Sequence, residues 1–338
     1  MPKCENLEYP KTTPANINES YSKWELPHEF LQELYCFVTN SPTNEKSHRH
    51  EVIFTVTNYG QIHFAKNWYC SLISTGFNKN SIIIISVDKK SYTELRQMDI
   101  PSIYLPSNFT SDCVNNQKII LFYEIVKLRP TILHQLLLWD VETILSDADI
   151  VFFKNPNELF NRKTDFEVQS DSKFFYNYDV YHEYANNTSE YKWAVNLGFY
   201  KVYPTEEVLK IIQVWFPLMY NSPKLVDQKA FRNSLKLNRI IMNTEDGLVS
   251  VSKNGNSKIY IHVLDPMLAV NAGGIYQDGK LNWRSEAKRR NITEPVLCHF
   301  FHLGSNKAKY SLMIQNNQIF FKGNQCIIPK GNTFPAWN

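Results

Sequence analysis

Two carboxylates one residue apart, Asp147 and Asp149, stand where an apolar stretch runs out, in Thr143-Ile-Leu-Ser-Asp-Ala-Asp-Ile-Val-Phe-Phe153. In an extended chain, side chains at i and i+2 project to the same side. The pair is therefore expected to hold one hard cation between oxygen ligands, with coordination positions left for phosphate oxygens. Such chemistry suits an enzyme that cleaves or transfers from a nucleoside diphosphate. Asp also favours solvated turns, and what distinguishes this pair is the strand ahead of it and the apolar Ile150-Val-Phe-Phe153 behind it.

The elements that would position this pair follow from periodicity. Glu51-Val-Ile-Phe-Thr-Val-Thr57 has the β-branched and aromatic content of a buried strand, and Asn58-Tyr-Gly60 breaks it. Ile62, Ala65, Trp68, Tyr69, Leu72 and Ile73 fall at helical spacing, Gly76 closes that helix, and Ser81 to Val87 forms a second buried strand. Residues 90–98 read as helix and Ser102 to Leu105 as a short strand. Asn115 to Leu128 is an amphipathic helix that stops at Arg129-Pro130, and a separate helical piece, Ile132 to Trp139, leads into the strand ending at Asp147. Beyond Pro156 the pattern is mixed: an aromatic stretch at Phe174 to Tyr184, helices at Thr205 to Tyr220 and Asp227 to Leu235, and short strands at Leu248 to Val251 and Ile259 to Val263. Asn271 to Asn291 reads as a long loop.

Strands alternating with helices predict an α/β fold around a mixed, mostly parallel sheet covered on both faces. Ligands bind outside the carboxyl ends of strands in such sheets, so the Asn58 break and the Asp147/Asp149 pair are expected to face one cleft. Residues 1–47, polar and rich in Pro, Asn and Ser, read as an N-terminal arm with one short helix near Pro27 to Phe37. Residues 48–320 form the domain and 321–338 a C-terminal tail.

A formal net charge of +3 over 338 residues, with no Lys/Arg block, excludes nucleic-acid or membrane binding through bulk charge. The 19 Tyr, 21 Phe and 7 Trp supply the core, with aromatic faces to spare for a sugar-binding cleft. The six cysteines are scattered without the paired spacing of a disulfide framework or a zinc ribbon. Met1-Pro-Lys-Cys-Glu-Asn6 lacks the basic start and apolar run of a signal peptide, and the longest aliphatic run, Ile82 to Ile85, is too short to span a bilayer. The expectation is a soluble, cytoplasmic protein without membrane insertion.

Ile144-Leu-Ser-Asp-Ala-Asp-Ile-Val-Phe-Phe-Lys-Asn-Pro156 resembles the Asp-x-Asp segment of the nucleotide-diphospho-sugar transferases of glycosyltransferase family 77. Asn67-Trp68, Val195-Asn-Leu-Gly-Phe-Tyr-Lys-Val202, Asp227-Gln228 and Pro295-Val-Leu-Cys-His-Phe-Phe-His-Leu-Gly-Ser-Asn-Lys307 resemble further segments of that family, in the same order. The likeness spans about residues 51–310, and the Asp-x-Asp segment is its most specific part.

The resemblance implies a GT-A (Rossmann-like) fold, a divalent cation, usually manganese, and transfer with retention from a UDP-sugar donor, galactose favoured and a pentose possible. The acceptor would be a glycan or a protein-linked group. Asp147 and Asp149 would take the metal, Asp147 alternatively the ribose, with Ala148 between them against the donor. A histidine would complete the set: His299 ends an apolar strand, as the family's ligand does, while His302 lies closer to Gly304 than the family pattern allows. Lys307 would stabilise the departing diphosphate. Lys118 is either a diphosphate or donor-sugar contact or part of a solvated helix face. Thr55, Thr57, Asn58 and Tyr59 sit where uracil and ribose would lie, with Tyr59 stacking on the base. Asn196, Gly198, Asp227 and Gln228 would lie near the donor sugar, although Asp227 also fits the role of a plain helix N-cap. Asn67 and Trp68 are better suited to the core than to ligand contact.

Two features depart from the family pattern. Trp139-Asp140 replaces its usual Gly turn, and no Golgi anchor is present, which points to a cytoplasmic member or to a Golgi-lumen enzyme whose anchor was removed. A haloacid-dehalogenase-like phosphatase also places Asp-x-Asp after an apolar strand but wants Thr where Val151 stands. A non-catalytic nucleotide-sugar-binding relative is the third alternative.

Overall fold

The β-branched runs become buried strands in the computed structural model, which describes residues 9–10, 25–45, 47–106, 119–160, 164–170, 195–220, 226–236, 239–243, 247–251, 258–273, 283–301, 303 and 305–329. In chain order the elements are α1 (His28–Thr39), β1 (Glu51–Thr57), α2 (Ile62–Ser74), β2 (Ile82–Ser86), α3 (Lys89–Gln97), β3 (Ser102–Tyr104), α4 (Ile119–Leu138), β4 (Glu142–Ser146), β5 (Ile150–Phe152), β6 (Phe166–Gln169) and β7 (Asn196–Val202). There follow α5 (Glu206–Tyr220), α6 (Asp227–Lys236), β8 (Arg239–Asn243), β9 (Gly247–Val251), β10 (Lys258–Val263), β11 (Ala269–Asn271), α7 (Trp283–Arg289), β12 (Leu297–His299), α8 (Asn306–Gln315), β13 (Phe321–Lys322) and β14 (Gln325–Cys326). The chain divides into two compact units, each assembled from separate stretches of sequence.

The first unit comprises Met1–Ile62, Lys79–Leu145 and Val202–Ser234. Its strands run in the order β3-β2-β1-β4, all pairs parallel, with Thr55 opposite Ile84 and Phe54 opposite Leu145. Every residue of β1 and β2 is buried, as near-continuous apolar runs require when both faces of a parallel sheet are covered. Contrary to the two-helix expectation, α4 runs unbroken through Pro130. The proline removes one intrahelical donor, but Thr131 donates its hydroxyl to the Lys127 carbonyl beside it. Packing against α5, where the His134 and Phe216 rings meet edge to face, favours one continuous helix over two.

The second unit comprises His63–Asn78, Ser146–Lys201 and Leu235–Asn338. One set of strands follows the order β7-β6-β10-β9-β8, with β10 parallel to β6 and antiparallel to β9. A separate three-stranded sheet has the order β11-β12-β5. Trp68 on α2 is fully buried against Phe152, which in turn meets Phe199 edge to face. The Trp68 indole donates to Ser146 Oγ at 2.8 Å, one residue before Asp147. Asn67 donates to the Gln318 carbonyl and accepts from Phe320 N–H, so both residues are structural, as expected.

Two strand and loop expectations change here. The segment 239–243 is a strand, and the expected loop after Asn271 contains α7. The cysteine reading also needs correction. Cys70 and Cys326 form a disulfide across 256 positions, and Cys36 is disulfide-bonded as well, leaving Cys298 as the free cysteine among the described residues. A bond closing so long a loop leaves no spacing signature in the sequence. Among the described residues no helix is long and apolar enough to cross a membrane.

Candidate metal centre

The Asp147/Asp149 pair does not lie in extended chain. β4 ends at Ser146, and Ala148 and Asp149 form a turn before β5. Convergence therefore comes from the turn and its neighbours, not from strand alternation. Asp147 N–H donates to the Gly198 carbonyl at 2.6 Å, tying the turn to β7. β12 pairs antiparallel with β5 so that His299 stands opposite Ile150, and Phe300 N–H donates to the Asp149 carbonyl. The sheet thus delivers His299 to the carboxylates.

His299 Nε2 lies 3.3 Å from Asp147 Oδ2 and 3.3 Å from Asp149 Oδ1. One ligand atom from each of the three residues falls within 4.8 Å of the other two. Separations near 3.3 Å suit adjacent vertices around a cation with ligand bonds of roughly 2.0–2.4 Å. The imidazole is buried, and Gln169 fixes its tautomer. Gln169 Nε2 donates to the Ala269 and Val270 carbonyls, which turns Oε1 toward His299 Nδ1 at 2.9 Å. Nδ1 therefore carries a proton and donates to Gln169, which leaves Nε2 as the ring nitrogen that faces the two carboxylates. Nε2 makes no hydrogen bond of its own. A ligating histidine held through its other nitrogen is the usual arrangement in metal sites. Three facing acceptors demand positive charge, and the donor set fits a divalent cation that prefers oxygen with one nitrogen.

The titration behaviour records the same demand. Burial opposes a charge on His299, yet Asp149 and Asp147 raise its pKa to about 9. Burial alone would raise Asp149, but Lys309 and His299 hold its carboxyl well below the usual carboxylate range. Burial also works against the Lys309 charge, and Asp149, its Oδ2 2.6 Å from the ammonium, more than restores it. Cys298 is buried and, through burial and then Asp149, pushed up in pKa; it pairs with Val151 within the sheet.

Gly198 is where the backbone must be bare. A Cβ there would lie 2.1 Å from His299 Cε1 and 2.8 Å from both His299 Nδ1 and Asn196 Oδ1. The glycine serves close approach, and Asn196 accepts its N–H at 2.7 Å.

Asp147, Ala148, Asp149, Asn196, Gly198 and His299 are thus brought together in the second unit. The other expected residues are placed as follows. Thr55 and Thr57 are buried at the end of β1, and Asn58, also buried, keeps a side-chain oxygen without a hydrogen-bond partner. Tyr59 N–H donates to Asp88 Oδ2 at 2.6 Å, and Lys90 Nζ lies 3.6 Å over the Tyr59 ring. Asp227 opens α6 with its carboxylate 3.6 Å from Arg129 and accepts from Gln228 N–H, while its carbonyl accepts from the Trp215 indole. Lys307 is exposed in the first turn of α8. Lys118, His302 and Gly304 lie outside the described residues.

Sequence reasoning missed Gln169 and Lys309. It also missed Asn271, which stands in register beside His299 with its amide nitrogen buried and without a partner. Pairing with the strand that ends at His299 is the signal that could have found Asn271.

No curated protein matches the sequence significantly. Among solved structures, the apo WbbM bifunctional glycosyltransferase is 12% identical with a TM-score of 0.46, covering 79% of this chain and 48% of its own. The glycosyltransferase GlyE of Streptococcus pneumoniae TIGR4 is 11% identical with a TM-score of 0.44, covering 84% of this chain and 58% of its own. The galactosyltransferase LgtC, solved with donor and acceptor sugar analogues, is 9% identical with a TM-score of 0.41, covering 81% and 97%. The chain thus spans about half the length of the first two. The family model of the nucleotide-diphospho-sugar transferases matches residues 78–313, taking in both carboxylates, Gln169, Gly198, His299 and Lys309, and the chain belongs to that family.

Proposed function

We propose that this chain is a metal-dependent, retaining glycosyltransferase that moves a sugar from a UDP-sugar to a glycan or protein-linked acceptor, galactose being the favoured sugar and a pentose the alternative. The observation that carries the reading is the buried His299 Nε2, 3.3 Å from both Asp147 and Asp149 while Gln169 holds the opposite nitrogen. A divalent cation held by Asp147, Asp149 and His299, with manganese as first choice, would supply Lewis-acid stabilisation of the charge on the departing diphosphate. The protein's own part is positional. Gly198 lets His299 close on the carboxylates, and burial strengthens the electrostatics of the centre.

The remaining assignments belong to the same reading. Asn58, with its unpartnered oxygen, accepts from the uracil N3–H, and Tyr59 offers the ring face opposite Lys90 to the base. Thr55 and Thr57 support that strand end. Asn196, Asp227 and Gln228 address the sugar, and Lys307, with Lys118, His302 and Gly304, the diphosphate. The disulfide-bonded Cys70, Cys326 and Cys36 favour an oxidising compartment such as the Golgi lumen over the cytoplasm. Membership of the transferase family removes the support for a phosphatase. The test is hydrolysis and transfer across a panel of UDP-sugars with and without Mn2+. Manganese-dependent release of UDP from one sugar is expected, and no turnover of any nucleotide sugar would sink the reading.

A further inference from the structure

Lys309 differs from the rest of the centre in charge. Its ammonium takes Asp149 Oδ2 at 2.6 Å, while His299 faces the other oxygen, Oδ1, at 3.3 Å. Asp149 is therefore shared: one oxygen belongs to the ligand set and the other to the lysine. A cation on the Oδ1 side leaves the lysine in place. With His299 neutral as a ligand, the two carboxylates carry −2 and Lys309 returns +1, for a net −1. A divalent cation converts this to +1. The side chains of Lys309 and Asp149 are only 18% and 15% exposed, so solvent screens that excess positive charge poorly. A nucleoside diphosphate brings two or more negative charges to the same place and reverses the imbalance.

We propose that Lys309 is a charge-setting positioning residue that makes cation binding and diphosphate binding depend on each other. The lysine holds down affinity for the bare divalent cation, and the diphosphate restores it. Linkage makes the effect reciprocal, so the cation strengthens diphosphate binding by the same factor. The consequence is a centre that resists filling with metal alone and assembles with its donor. Lys307, exposed two residues earlier, has no comparable contact with Asp149 and does not set this charge. The inference rests on the function proposed above.

Calorimetric titration of Mn2+ alone, UDP alone and Mn2+ in saturating UDP tests it on the full chain. In the wild type, UDP is expected to strengthen Mn2+ binding on the order of tenfold or more. K309M is expected to bind Mn2+ alone about tenfold more tightly and to lose most of the strengthening by UDP, the size of an ordinary coupling. K309R, which keeps the charge, should retain the wild-type pattern. K309Q, whose amide still donates to Asp149, carries the same expectation as K309M if the latter fails to fold. A folded K309M or K309Q that binds bare Mn2+ no more tightly than wild type, or keeps the full UDP effect, overturns the proposal. Failure of the underlying reading looks different: D149N would then bind Mn2+ as tightly as the wild type.

Discussion

The centre around His299 and the strand end at Asn58–Tyr59 are made in opposite ways. The His299 centre draws on five separated segments: the turn after β4, Gln169 on β6, Gly198 on β7, β12 itself and Lys309 on α8. His299, Gln169 and Gly198 are buried, the two carboxylates and Lys309 are half-buried, and each is held by another. The Asn58–Tyr59 end is local by comparison. Asp88 both caps α3 through Ser91 N–H and accepts from Tyr59 N–H, while one side of the Tyr59 ring carries Lys90. The lesson is that the first region is over-determined and transmits any disturbance to the ligands, whereas the second can lose one side chain and adjust.

The largest break in that comparison should come from Gly198→Ala. Its methyl group overlaps His299, so Mn2+ affinity should fall by roughly 10- to 100-fold, and denaturant unfolding should report a loss of about 1–3 kcal/mol from overpacking. Wild-type affinity in this variant would show that the tight contact is immaterial. Gln169→Leu removes the acceptor that fixes the His299 tautomer, and a loss of about tenfold in Mn2+ affinity is expected in calorimetry.

The smaller effect belongs to the strand end. Asn58→Ala deletes a single neutral hydrogen-bond acceptor, worth about 0.5–1.5 kcal/mol in UDP affinity, and should leave binding of Mn2+ alone unchanged. A change in bare Mn2+ binding would erase the distinction between the two regions. A last, general effect is on stability against pH. Burial lowers the pKa of His134 from 6.5 to about 4. The folded state therefore resists a proton that the unfolded chain accepts, so the contribution is fully present above pH 6.5 and is lost as pH falls toward about 4. Unfolding free energies measured across this window for wild type and His134→Gln should converge as the pH drops; parallel curves would contradict the assignment.

The parts of the molecule legible in the sequence were those with strong periodicity or dense chemistry. β1 and β2 announce themselves by their dense β-branched and aromatic content, and Asp147, Asp149 and His299 by their position at the ends of apolar segments. Three kinds of feature were hidden, each for a physical reason. Pro130 signals a break only while helix packing is ignored, and α5 supplies that packing. The Cys70–Cys326 bond joins residues with no local relation. The choice of Lys309 over Lys307 is a matter of helix phase. Two residues turn a helix by more than half a revolution, so one lysine meets Asp149 while the other faces solvent.

Asp147, Asp149 and His299 are proposed to hold one divalent cation between them. Crystals grown with Mn2+ and UDP, measured at the manganese absorption edge, test it most directly. A single strong anomalous peak is expected within bonding distance of Asp147 Oδ2, Asp149 Oδ1 and His299 Nε2, with Lys309 still on Asp149 Oδ2. A peak elsewhere, or one bound by the carboxylates with His299 turned away, would contradict it.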